Sequence, residues 1–80
     1  MDHDQVTIDL KLFATFAPHM PPDATNYPIE SGMSVEQVLQ QIKISPTEVK
    51  LIFINGIRGH LDTRLQGGER VGIFPPVGGG

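Results

Sequence analysis

The side chains that ordinarily carry chemistry are few in this sequence and poorly spaced for it. His3, His19 and His60 are far apart, with no pair at the four-residue spacing that puts two imidazoles on one helix face for a metal. Cysteine is absent, which removes a thiolate nucleophile, a disulfide frame, an iron–sulfur cluster and a Cys-based zinc site. Ser31, Ser34 and Ser45 read as a turn residue, a helix cap and a pre-proline residue rather than as nucleophiles. Asp62 and Glu69 read as single loop acids, not a general-acid pair. Neither glycine-rich phosphate-binding motif occurs. Phe13, Phe16, Phe53 and Phe74 read as core residues, because no basic residues interleave with them as they would in a stacking platform for nucleobases. No metal site and no bound cofactor are expected.

What remains is a backbone group. The sequence closes with Phe74-Pro75-Pro76-Val77-Gly78-Gly79-Gly80. Glycines pack nothing and maximise backbone entropy, so the bland reading is a frayed end. Against that reading, Pro75-Pro76 stiffens the exit and projects the glycines away from the fold. The one reactive group that a glycine terminus offers is its α-carboxylate. Four extended residues beyond Pro76 reach roughly 13–14 Å, enough to thread a partner's closed site.

Such a tail needs a scaffold, and hydrophobic periodicity describes one. Val6, Ile8, Leu10 and Leu12 alternate with Thr7, Asp9 and Lys11, which predicts a half-buried strand from Val6 to Phe13. Pro18, Pro21 and Pro22 argue for a loop over Ala14–Pro22, excluding helix and ladder alike. Thr25–Glu30 reads as a weaker strand, confined to a sheet edge because Pro28 lacks a donor. Ser34 with Gln37 has the capping-box spacing, and Val35, Val38, Leu39 and Ile42 form one apolar stripe, predicting a helix that ends near Lys43. Val49–Ile54 reads as a buried strand, Asn55-Gly56 as a tight turn and Ile57-Arg58 as a short return. Gly59–Leu65 reads as a loop with Leu61 and Leu65 dipping into the core. Gly67-Gly68 is a further turn, and Val71–Phe74 the last strand.

The order β-β-α-β-β-β predicts an α+β fold, with one main helix packed on one face of a mixed four- to five-stranded sheet. One helix crossing one sheet in 80 residues is the β-grasp, or ubiquitin-like, arrangement, with first and last strands parallel at the centre. The expected organisation is a single domain over 1–77 and a flexible glycine tail over 78–80. An 8.7 kDa chain has no room for a second lobe. A net charge of −3 argues against nucleic-acid partners and anionic membranes. No apolar run approaches the ~20 residues of a membrane span, and no signal peptide is evident, so a cytoplasmic location is expected.

The stretch Leu65–Gly80 resembles the ending of the MoaD family, the small sulfur-carrier subunit of molybdopterin synthase: L-x-[DE]-G-[DE]-E-V-[AG]-[FIL]-F-P-P-V-[SAT]-G-G. Upstream, Leu12-Phe13-Ala14, Gly32-Met33-Ser34-Val35 with Val38-Leu39, and Ile54-Asn55-Gly56 are similar to the family's first-strand exit, helix entry and hairpin. The sequence departs from the pattern at Gly67 and Arg70, where acids are common, at Gly78, and in the proline-rich stretch 18–28.

The resemblance implies a carrier rather than a catalyst. A ubiquitin-activating-type adenylyltransferase, similar to MoeB or ThiF, would adenylate the Gly80 carboxylate with ATP. A sulfurtransferase or cysteine desulfurase would supply the sulfur of a C-terminal thiocarboxylate. The large subunit of molybdopterin synthase, similar to MoaE, would receive that sulfur during molybdenum or tungsten cofactor biosynthesis. Phe74, Pro75, Pro76, Val77, Gly78 and Gly79 would meet these partners, and ATP would be used by the activating enzyme rather than held here. Three other functions are compatible with the same end: a ThiS-like carrier for thiamine thiazole synthesis, a ubiquitin-like protein modifier, and a non-covalent interaction module.

Overall fold

The structure, a computed structural model, describes residues 5–76. Strand β1 (Gln5–Leu12) keeps the predicted alternation, with Ile8, Leu10 and Leu12 buried. It pairs antiparallel with β2 (Tyr27–Glu30) on one side and parallel with β7 (Arg70–Phe74) on the other. Strand β4 (Leu51–Ile54) lies antiparallel to β7, and β5 (Ile57–Arg58) closes the sheet, giving the order β2-β1-β7-β4-β5. First and last strands therefore lie side by side and parallel, as expected of a β-grasp fold. Strand β2 is an edge, and Pro28 stands opposite Thr7 there, where its missing donor costs little.

Helix α1 (Val35–Gln41) begins with both halves of the predicted capping box: the Gln37 N–H donates to the Ser34 hydroxyl, and the Gln37 side chain accepts from the Ser34 N–H. Its stripe of Val35, Val38 and Leu39 covers one face of the sheet and joins Ile52, Val71 and Ile73 in a single aliphatic core. Beyond the helix, Lys43 turns out at φ +68°, and the Ile44 N–H reaches back to the Leu39 carbonyl at 3.0 Å. The Asn55-Gly56 turn has φ +53° and +81°, the left-handed pair that a two-residue hairpin requires.

Two readings are corrected. The segment after β1 is not an irregular loop: Ala14–His19 is a short 3-10 turn, and a second, Ala24–Asn26, takes Thr25 and Asn26 from the expected strand, which starts only at Tyr27. Prolines permit this because each turn closes around them rather than through them. The Met20 N–H donates to the Ala17 carbonyl across Pro18, and the Ala24 N–H to the Pro21 carbonyl across Pro22. Within this segment Phe16 and Ala24 are buried. Likewise the stretch 59–65 is not wholly loop. Its end, β6 (Arg64–Leu65), pairs with β3 (Met33–Ser34) in a separate two-stranded sheet that buries Leu65 beneath the helix entry. A two-residue strand has no periodicity to read, so only its partner reveals it. Residues 46–48 add a further 3-10 turn, Pro46–Glu48.

Candidate functional site

The parallel pairing of β1 and β7 brings both strands out at the same end of the sheet. The Phe13 N–H donates to the Ile73 carbonyl at 3.2 Å, extending the β1–β7 contact by one residue. On the other side of β7, the Lys50 N–H donates to the Phe74 carbonyl at 2.8 Å. Those are the last ladder bonds among the described residues, because Pro75 and Pro76 carry no N–H to continue them. The chain leaves the sheet at Pro75, half-buried, and Pro76, exposed. A hollow of about 450 Å³ flanks the exit, lined by Thr15 and Phe16 on one side, Thr47 and Glu48 on the other, and the two prolines. Val77, Gly78, Gly79 and Gly80 lie outside the described residues.

The sheet face opposite α1 supplies the second part of the site. Register places Lys11, Gly72 and Phe53 in one row across it, and Leu51 and Phe74 in the next, beside Phe13. The Phe13 and Phe74 rings stack with centroids 4.2 Å apart and planes 3° from parallel. Phe53 meets Phe74 edge-on at 5.8 Å and 88°. Gly72 sits beneath them without a side chain, so the rings border an apolar hollow of about 310 Å³, with Lys11 and Arg70 on its rim. A Cβ at Gly72 would touch Phe13 and Phe74 at 3.5 Å, ordinary contact distance.

This overturns the core reading of three phenylalanines. Phe16 is buried, but Phe13 is 38% exposed, and Phe53 and Phe74 are half-buried on the open face. Strand alternation is the reason: Val71 and Ile73 take the inward positions, so Phe74 points outward. Basic residues do accompany the rings: strand alternation puts Lys11 on the face of Phe13 and Arg70 on the face of Phe74, and only the pairing of β1 with β7 brings the two sets together.

Among the described residues, nothing titratable at the exit is arranged for acid–base or nucleophilic work. No cluster of metal-ligating side chains exists among the described residues. His19 Nδ1 lies 3.3 Å from the Ile42 carbonyl oxygen, at the end of α1. Glu69 is a turn residue, as its sequence context suggests: its carboxylate accepts from the Gln66 and Gly67 N–H groups, both at 2.8 Å. Tyr27 has a displaced pKa, raised above 10.0 by burial and then by the nearby Asp23 carboxylate, and its hydroxyl donates to Gln41 Oε1 at 2.7 Å. That pair lies on the β2 side, away from the exit. What the described residues do is lead the chain off the sheet at Pro75-Pro76 beside a ready-made apolar surface.

The ThiS family model matches residues 10–80. Among solved structures, the HVO 2177 protein of Haloferax volcanii superposes with a TM-score of 0.76 at 26% identity, over 100% of this chain and 92% of that one. A Pyrococcus furiosus protein, provisionally named molybdopterin converting factor, subunit 1, gives 0.62 at 27% identity, over 90% and 99%. Small archaeal modifier protein 1 of H. volcanii gives 0.62 at 16% identity, over 90% and 99%, a likeness of fold. No curated protein sequence matches the chain.

Proposed function

The chain belongs to the ThiS family, and on that premise we propose that it is a sulfur carrier whose Gly80 carboxylate is the reacting group. The carboxylate attacks the α-phosphorus of ATP on a ubiquitin-activating-type adenylyltransferase, and pyrophosphate leaves. A persulfide from a sulfurtransferase or cysteine desulfurase attacks the resulting acyl adenylate and displaces AMP. A second thiolate takes the donor's sulfur as a disulfide, leaving the outer sulfur on Gly80 as a thiocarboxylate, nucleophilic as its anion. The carrier itself holds no cofactor; ATP belongs to the partner.

The observation that carries this reading is the exit geometry. Strand β7 ends at Phe74, just before Pro75-Pro76, beside an aromatic hollow that the described residues leave open. Ordering the tail in a partner costs about 1–2 kcal/mol per residue, which contacts at Phe13, Phe53, Phe74 and Pro75 can offset. A closed channel around Gly79 and Gly78 would keep water from the adenylate. The Phe-Pro-Pro-Val segment, and the 27% identity to the molybdopterin converting factor relative, favour the large subunit of molybdopterin synthase as the acceptor, over a thiazole-forming enzyme.

The test is an intact mass after incubation with the activating enzyme, ATP and a sulfur donor. An oxygen-for-sulfur gain localised to Gly80 is expected. Lysine adducts in its place would make the protein a modifier, and an unchanged mass would leave an interaction module.

A further inference from the structure

We propose that Arg70, supported by Lys11, selects among tail-accepting partners by requiring an acidic side chain opposite it. The proposal rests on the carrier reading above and names the chemistry of the partner surface that this reading needs. Both cations stand on the rim of the aromatic hollow, on the same sheet face as Phe13, Phe53 and Phe74. A partner that covers those rings while taking the tail must also cover the rim.

The two cations share one carboxylate. Lys11 Nζ lies 4.0 Å from Asp9 Oδ1 on its own strand, so its charge is partly answered within the monomer. Asp9 stands opposite Arg70 in the β1–β7 register, on the same face, but no ion pair closes between them among the described residues, so one carboxylate is set between two cations. The backbone beneath Arg70 is pinned. Arg70 N–H donates to Asn55 Oδ1 at 2.9 Å, and Asn55 N–H donates to the Arg70 carbonyl at 2.8 Å. Asp9 and Leu10 hold the parallel register on the other side. The rim thus carries two cations against one carboxylate, and Arg70 is its exposed cation on a fixed base, bordering an apolar surface. Covering it without a counter-ion leaves a desolvated cation; covering it with Asp or Glu forms a paired, forked contact. A basic or neutral partner surface is rejected on the same account.

The experiment uses the full chain and the purified activating enzyme of the same cell, with ATP–pyrophosphate exchange as the readout. Arg70→Glu is expected to raise KM for the carrier about tenfold or more with kcat unchanged, and Arg70→Gln to fall between. The salt dependence supplies a readout that a structural role would not move: wild-type KM rises with ionic strength, whereas the Arg70→Glu value falls. Lys43→Glu, the same charge change beyond the end of α1, should leave KM within about twofold of wild type. Exchange that proceeds with an unaltered KM for Arg70→Glu overturns this proposal and leaves the carrier reading standing. Absence of exchange with the unsubstituted chain overturns both.

Discussion

The two faces of one sheet are built to different rules. On the helix-covered face, Ile8, Leu10, Leu12, Ile52, Val71 and Ile73 are aliphatic and buried, with Leu10 and Ile73 at 0% exposure. On the open face the same strands carry Phe13, Phe53 and Phe74, only partly covered, with Lys11 and Arg70 beside them. The covered face excludes water within the monomer, so its energy belongs to folding. The open face gathers aromatic area and charge and leaves both in solvent, so its energy is released only when something covers it. Aromatics with a cationic rim suit that second role, because they offer large rigid contact area at small entropic cost.

Substitutions should separate the two. Deleting Gly80 should leave the thermal midpoint unchanged and abolish thiocarboxylate formation by intact mass, and a normal yield from the shortened chain, which ends in the Gly79 carboxylate, would show that the chemistry does not need the reach to position 80. On the covered face, Leu10→Ala should cost about 2–5 kcal/mol in urea unfolding, by lost transfer energy and the cavity left behind. Its KM with the activating enzyme should stay near wild type wherever the variant is folded. Phe74→Ala should do the reverse: about 1 kcal/mol of stability, from the lost ring pair, but roughly a tenfold rise in KM. Equal effects of Leu10→Ala and Phe74→Ala on both measurements would erase the distinction between faces.

Smaller effects sharpen it further. Ser34→Ala removes the cap of the helix covering the aliphatic face and should lower stability by about 1 kcal/mol without changing KM. Tyr27 titration is the weakest lever. Its phenol holds its proton to higher pH when folded than when unfolded, so the unfolded chain loses that proton first. Stability should therefore fall as pH rises above 10.0, and Tyr27→Phe should flatten that part of the stability profile. A steeper decline in the phenylalanine variant would contradict the assigned direction.

Much of this fold is legible in the order of residues. Val6–Leu12 announces a strand by alternation, Ser34 and Gln37 announce a helix start by their spacing, and Asn55-Gly56 announces a hairpin by the φ values those residues tolerate. Each is a local signal, generated by the period of a single element or the sterics of a single turn. The 3-10 turns after β1 are not legible, because Pro18 and Pro22 break a long helix but fit inside a tight turn equally well. The β3–β6 pair is hidden because two residues are too few to show a period.

The candidate site divides along the same line. Sequence alone determined where the last strand stops, since Pro75 and Pro76 carry no N–H to continue its ladder, and the proposal starts from the glycines that follow them. Only the tertiary structure decided what stands beside the strand's exit. Phe13 belongs to the end of the first strand, Phe53 to β4, and Arg70 and Phe74 to β7, and linear spacing records none of the contacts between strands. Parallel pairing of the first and last strands is what joins them, because it delivers both strands to one end of the sheet and sets Lys11 level with Gly72 on the open face. Local sterics write themselves into consecutive residues; a surface assembled from three strands exists only once the hydrogen bonds between those strands have chosen a register.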